Sequence, residues 1–500
     1  MWLTWVGSFF LAICAIWLVN RLHHVYFTLR EFPTVGPSGF FGSYWAIKIW
    51  LSEPDTLLNE GYQKYPNALF KIYTQDGWTL FTSGEARLAE MRAAPDRDLS
   101  FVEHINEAFQ LEVTMGPGVA RDMFGRNAAN VMNTVTRNLP LYFEDVRDEV
   151  NKACRDNFQT GEDWVSIPVL PATARIVSRG ANRMFLGPEL GRNIEFTDLM
   201  VAFTREAIVV GILLRTLPEF IRPIIAKLIN RTESYYKWAR PHLESMLAHR
   251  LEQEEKFGKD WDGKPNDYIS WLLATNCQAT TVRDLVFRVL GVNLPAIQTT
   301  SNSLGHSVFD LAQNPEYVEI LREEIEAVVA QDGWSRESLQ KMVKLDSFAK
   351  ESQRLWGIAP GNSGRRAMKQ FTFSNGQTVP AGQDIMVTTQ AIHLDEGNYP
   401  GAREFRPFRW AELRSRDEKS VVYDFVTPSK TFAAFGVPSR HTCPGRFFAS
   451  MLIKQALAYL VLNYDMKLEG ADRPKNLMLG SVMGPHPTAP VLFRKRQAKT

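Results

Sequence analysis

What the sequence lacks narrows its chemistry before any motif is read. Its 500 residues hold only four cysteines, Cys14, Cys154, Cys277 and Cys443, and no two form a Cys-x-x-Cys pair. That sparseness excludes a disulfide scaffold and a cysteine-rich zinc site, and it fits a catalytic body facing a reducing compartment. Charge of one sign is lacking too: 57 Lys and Arg against 55 Asp and Glu leave a formal net charge of +2. With no long basic run either, no nucleic acid or other polyanionic partner is implied. No glycine-rich dinucleotide fingerprint follows a strand-like segment, so the chain is not expected to bind a nicotinamide dinucleotide itself. There is no internal repeat, no low-complexity segment and no linker beyond about residue 50, which points to one large domain. Disorder is excluded as well, because 45% hydrophobic and 12% aromatic residues are ample for a large core.

Charged side chains are missing altogether from Trp2 to Val19, after which come Arg21, His23, His24 and Arg30. A spanning helix needs about 20 predominantly apolar residues. A cleaved signal peptide would start basic and end on small residues, whereas here the start is uncharged and the basic residues follow. The positive-inside rule then leaves the N-terminus lumenal and the bulk of the chain cytosolic. The expected division is a single-pass transmembrane anchor at 1–22, a linker at 23–50 with the Pro/Gly hinge Phe32-Pro33-Thr34-Val35-Gly36-Pro37, and a catalytic domain at 51–500.

From about Leu51 to Arg365 apolar residues recur at three and four, as in Val282, Leu285, Val286, Val289 and Leu290, which is helical spacing. Strands are few. One hairpin is expected from Ala68–Tyr73, turning at Gln75-Asp76-Gly77, to Trp78–Thr82. A second runs from Gln370–Phe373 through Asn375-Gly376 to Gln377–Val379, with a further strand at Ile385–Thr389. The fold class is therefore mainly α, with small β-sheets.

Cys14 lies in the apolar segment and Cys154 and Cys277 in helix-like sequence, where each reads as a small buried hydrophobe. Cys443 differs. Thr431-Phe432-Ala433-Ala434-Phe435-Gly436-Val437-Pro438-Ser439-Arg440-His441-Thr442-Cys443-Pro444-Gly445-Arg446 packs Gly, Pro and Ser around it and runs straight into an apolar helical pattern. Pro444 suits the first turn of that helix, which needs no N–H donor. Cys443 is thus expected at a helix N-terminus, whose partial positive charge and free N–H groups favour thiolate over thiol. A thiolate there can ligate iron.

This loop resembles that of the cytochrome P450 superfamily, and Cys-Pro-Gly-Arg-Phe-Phe-Ala after His441 is similar to fungal members. The resemblance implies a haem b with Cys443 as its thiolate axial ligand. Phe435 stands one residue farther from the cysteine than the family pattern has it, so the loop carries an extra residue within Val437-Pro438-Ser439. Two further motifs carry the resemblance. Glu351-Ser352-Gln353-Arg354 and Phe405-Arg406-Pro407-Phe408-Arg409-Trp410 match a helix motif and an aromatic-Pro-Arg segment whose arginine, here Arg409, closes a buried structural triad with Glu351 and Arg354. The likeness covers most of the body and is specific in its last third.

The same resemblance places Ala296, Gln298 and Thr299 on an oxygen-activating helix spanning Thr281 to Ala312. Dioxygen must gain protons before its O–O bond breaks, and a helix hydroxyl can deliver them through ordered water. Thr299 is the relay candidate, while Gln298 replaces an acid by an amide that cannot ionise. Pro295 is expected to open the helix locally. His441 and Arg440 take the place of a propionate-binding cation, and Arg137 that of a second whose usual tryptophan neighbour is Asn133. Phe101–Met115, Leu294–Ala296, Ile358–Asn362 and Val482–His486 are the implied substrate-facing segments, mostly apolar, as suits a hydrophobic ligand.

The expectation is a monooxygenase of the endoplasmic reticulum membrane, its catalytic domain cytosolic. It would oxidise an apolar small molecule with dioxygen and with electrons from an NADPH-cytochrome P450 reductase. Gly61-Tyr62-Gln63-Lys64-Tyr65-Pro66 resembles fungal terpenoid and steroid oxidases, which implies a terpenoid substrate in secondary metabolism. Two alternatives stay open: a haem-thiolate isomerase or peroxide user that needs no reductase, and a non-catalytic membrane-anchored haem or lipid binder. Deleting residues 1–22 should move the protein from the membrane pellet to the soluble fraction with haem retained, as read by fractionation and absorption. Loss of haem on deletion would make the segment part of the core.

Overall fold

The computed structural model describes residues 19, 22–23, 26–116, 118–275, 281–417, 421–479 and 481–497. The anchor expected at 1–22 therefore lies, apart from residues 19 and 22, outside the described residues, as do Cys14 and Cys277. Among the described residues no helix is long and apolar enough to cross a membrane.

The central element is the helix Val282–Gln313. Thr281 and Asp284 close a reciprocal capping box at its start, with the Asp284 N–H donating to Thr281 Oγ1 at 3.1 Å and the Thr281 N–H to Asp284 Oδ2 at 3.1 Å. Asn314 caps its end, where Pro315 starts the next helix. Residues Ser303 to Ala312 are all buried, so this part of the helix is enclosed on every side and forms the axis of the core. Around it pack the helices Val169–Leu186, Ile194–Arg215, Thr232–Phe257, Val343–Leu355 and Arg446–Asn463, with Arg126–Asn157 against the first and last of these. The helix runs unbroken through Pro295, contrary to the expected opening. The missing N–H removes a single bond to the turn before it, and packing holds the rest.

A six-stranded sheet flanks the helices, and its order joins distant segments: Thr34–Val35, Phe70–Thr74, Gly77–Thr82, Asp384–Val387, Asn362–Ala367 and Leu99–Ser100. Both expected hairpins form, Phe70–Thr74 with Gly77–Thr82 and the shorter Phe371–Thr372 with Thr378–Val379. Gly376 takes φ +84 in the second turn, a left-handed conformation that suits glycine. Two features went unanticipated. Pro490–Lys495 pairs with both Tyr464–Leu468 and Val165–Pro168, and a C-terminal hairpin joins Leu477–Leu479 to Val482–Gly484.

The implied triad is present and buried. Glu351 Oε2 accepts from Arg354 Nε at 2.9 Å, and Oε1 from Arg354 Nη2 at 2.7 Å and Arg409 Nε at 3.1 Å. The remaining Arg354 donors reach the carbonyls of His393, Ala402 and Glu404, and those of Arg409 reach Pro400 and Gly401. Every donor in this dry cluster has an acceptor, which offsets the cost of burying three charges. Glu351→Ala strands two buried guanidinium groups and should cost about 3–5 kcal/mol, read as a lowered urea midpoint.

Candidate active site

The loop from Phe432 to Gly445 has no regular structure, so its backbone groups must find partners one by one. The Cys443 N–H donates to Phe435 O at 2.9 Å, which closes the loop on itself, and Gly436 turns the chain at φ +86. The extra residue is absorbed by a turn: Thr442 N–H donates to Ser439 O at 3.1 Å, and Ser439 N–H to Thr442 Oγ1 at 3.0 Å. From the neighbouring strand, Ser363 Oγ accepts the Val437 N–H at 3.0 Å and Asn362 Nδ2 donates to Ala433 O at 2.8 Å. Phe435 is buried, its ring centre 5.4 Å from that of Phe425.

A further residue, absent from the sequence-based candidates, ties this loop to the triad. His393 Nε2 accepts the Ala433 N–H at 3.0 Å, its Nδ1 lies 3.0 Å from Arg354 O, and its ring stacks on Phe432. Burial holds His393 down to about 3, so it stays neutral and can accept through one nitrogen while donating through the other. A histidine without a metal-like motif around it gave no sequence signal for this role.

Cys443 lies one step farther from the helix than expected. Gly445 is the N-cap and the helix begins at Arg446, so Pro444 precedes the first turn. The N–H groups of Gly445 and Arg446 point at the sulfur. Burial nonetheless pushes the Cys443 thiol up, outweighing those amides and the Arg446 guanidinium. The amides at the helix start favour the thiolate, as expected, yet alone do not outweigh burial. A cation bound at the sulfur would, as an iron centre is.

Cationic groups gather beside the loop. Arg365, a residue that sequence reasoning missed, is buried in the strand Asn362–Ala367 and donates to Ser363 O and Gly364 O, and burial lowers it to about 10. Its charge and burial together lower the half-buried His441. His441 Nε2 stands 2.8 Å from Asp96 Oδ1 and 3.1 Å from Arg440 Nε. Arg440 and His441 thus share the single carboxylate of Asp96, which also offsets the nearby Arg365 charge. On the helix after the cysteine, Arg446 Nε is buried with no hydrogen-bond partner among the described residues. The available signal for Arg365 was the pair Arg365-Arg366 in a strand, where neighbours point to opposite faces. Arg366 takes the other side, towards Asp384 at 3.5 Å.

Arg137 does not join this group. It is exposed and folds back on its own helix, 3.4 Å from Asn133 O and 3.4 Å from Thr134 Oγ1. Val131, Val135 and Leu139 take the inward face, which turns residue 137 to solvent. Thr299 is part-buried on the central helix and donates to Pro295 O at 2.7 Å. Gln298 faces elsewhere, its Nε2 donating to Thr204 Oγ1 at 2.9 Å.

A sulfur with two amides aimed at it, cationic side chains beside the loop and a buried Arg446 Nε without a hydrogen-bond partner among the described residues fit a haem, whose iron Cys443 would hold and whose propionates Arg365, Arg440 and His441 would hold. Fold and site define a haem-thiolate protein. A family model described as "Cytochrome P450" matches residues 187–493. Cytochrome P450 monooxygenase 151 of Postia placenta is 35% identical over 94% of both chains. Cytochrome P450 monooxygenase CYP512U6 of Ganoderma lucidum is 32% identical over 94% of this chain and 92% of its own. Cytochrome P450 monooxygenase paxQ of Penicillium paxilli is 28% identical over 97% and 96%. The chain belongs to the cytochrome P450 family and is an oxidoreductase of the monooxygenase type. Arg365→Leu should weaken haem retention about tenfold or more, since a charged hydrogen bond contributes about 1.5–3 kcal/mol. Arg137→Leu should leave retention unchanged, both read as transfer to apomyoglobin.

Proposed function

We propose that this chain is a membrane-anchored monooxygenase of the endoplasmic reticulum that inserts one oxygen atom of dioxygen into an apolar small molecule. Electrons come from an NADPH-cytochrome P450 reductase. The observation that carries the reading is the Cys443 sulfur, held at the end of a self-bonded loop with two backbone amides aimed at it. Haem bound there supplies the activation of dioxygen. Cys443 anchors it, Arg365, Arg440 and His441 hold its carboxylates, and Phe435 packs beneath the loop.

Thr299 Oγ1, whose hydroxyl donates to Pro295 O, would relay a proton by giving up its own while accepting another from ordered water. The Gln298 amide, bonded to Thr204, orients the neighbouring helix and supplies no acid. That observation also favours a second reading, in which peroxide replaces dioxygen and the reductase. The segments implied to face substrate are largely apolar, which supports a hydrophobic ligand. A terpenoid rests on resemblance alone, because Gly61 in the supporting segment serves packing: a Cβ there would sit 2.1 Å from the Phe70 ring. Phe41, Trp45, Phe220, Ile224 and Leu228 stand exposed, which supports contact of these two segments with lipid.

The reduced protein should give the thiolate-type carbon-monoxide spectrum, and Cys443→Ala should abolish it. Thr299→Ala should keep that spectrum yet lower the ratio of product to NADPH consumed, by about a hundredfold where general acid catalysis is at stake, with peroxide released instead. Full activity with peroxide and no reductase would favour the second reading.

A further inference from the structure

A buried ion pair on the central helix is linked through Asn476 and Met483 to the two segments that, on the reading above, face the substrate. Arg473 stands in the connection between the strand Tyr464–Leu468 and the C-terminal hairpin. Its side chain is 9% exposed and that of Asp310, on the central helix, 3%. Arg473 Nε donates to Asp310 Oδ1 at 3.0 Å, Nη1 to Asn476 Oδ1 at 3.1 Å, and Nη2 lies 2.9 Å from His306 Nδ1. The guanidinium carbon lies 3.9 Å from the Trp356 ring centre, a stacked contact that lysine could not reproduce. Asp310 also accepts from Trp356 Nε1 at 2.9 Å and Ser352 Oγ at 2.6 Å. Burial keeps His306 neutral, so its Nδ1 accepts from the arginine.

From this knot the contacts lead to the hairpin. Asn476 Nδ2 reaches Met483 Sδ at 3.8 Å, and the Met483 N–H donates to Ile358 O at 2.8 Å. The fit against the central helix is close: a Cβ on Gly305 would stand 3.2 Å from Pro485, and one on Gly484 3.1 Å from Asn302. We propose that Arg473 is a specificity-determining positioning residue, which sets where the hairpin bearing Val482 and Met483 sits over the central helix and against Ile358, and so shapes the substrate pocket. A planar five-donor group fits this task, because it fixes direction as well as distance to several elements at once. Apolar packing alone would let the hairpin slide. The proposal rests on the reading in which Ile358–Asn362 and Val482–His486 face the substrate.

The experiment uses the full-length haem protein with Arg473→Leu, Asn476→Ala and Val482→Ala. Asn476→Ala cuts the link between guanidinium and hairpin without stranding Asp310, so it carries the test should Arg473→Leu fail to fold. The affinities of imidazole and 4-phenylimidazole are read from absorption shifts, and hydrogen exchange is followed at the peptide containing Met483. The expected result is an unchanged carbon-monoxide spectrum, faster exchange at Met483, and a ratio of the two affinities altered by about tenfold, the scale of pocket-shape discrimination. A lower melting temperature with both affinities in their original ratio would make Arg473 a stabilising clamp only and overturn the proposal. A changed ratio in Val482→Ala but in neither of the other variants does the same. No change in Val482→Ala removes the substrate-facing reading, and the proposal with it.

Discussion

A sulfur that must carry negative charge inside a protein needs to be both buried and held still, and these two demands conflict. Burial pushes the Cys443 thiol up, because low-dielectric surroundings disfavour the thiolate. A metal bound at the sulfur would restore the charge, and the chain contributes position. Position is hard to supply with a loop, whose backbone groups have no ladder to join. Here each is satisfied separately, by Phe435 O, Ser363, Asn362 and His393, so that an irregular segment gains the rigidity of a strand.

The Glu351 triad supplies the base for that rigidity. Replacing its ions by apolar side chains could match its stability, since buried pairs seldom gain net energy. What ions add is direction. Arg354 fixes the carbonyls of His393, Ala402 and Glu404 at once, and His393 passes the constraint on to Ala433, at the root of the cysteine loop. Arg473 repeats the device at the central helix itself, where one guanidinium again links elements far apart in sequence. Both knots are planar forks meeting several fixed acceptors at once, the geometry for which arginine is suited and lysine is not.

The central helix serves both. Its last third is enclosed all round and holds Asp310 and His306 for one knot, while its middle presents Thr299. Neighbouring residues on a helix point about 100° apart, which is why Gln298 turns to Thr204 while Thr299 turns back on Pro295. The two residues expected to act as a pair are thus held on different faces.

Periodicity and turn chemistry in the sequence determined the mainly helical class, both hairpins and the Asn375-Gly376 turn, since these depend on neighbours a few residues away. Motif spacing determined the Glu351, Arg354 and Arg409 set and singled out Cys443, because no other cysteine stands in a glycine- and proline-rich loop running into a helix. Tertiary structure decided the rest. Arg137 matched a motif, yet burial of Val135 and Leu139 turned it to solvent; Arg365 and His393 matched none, yet sheet order and the triad carried them to the cysteine loop. The pairing of Pro490–Lys495 with Val165–Pro168, and the seating of the C-terminal hairpin by Arg473, join residues whose separation in sequence leaves no local trace. Local signals report what a residue's own backbone favours. Which distant charge ends up beside it is settled only when the core closes around both.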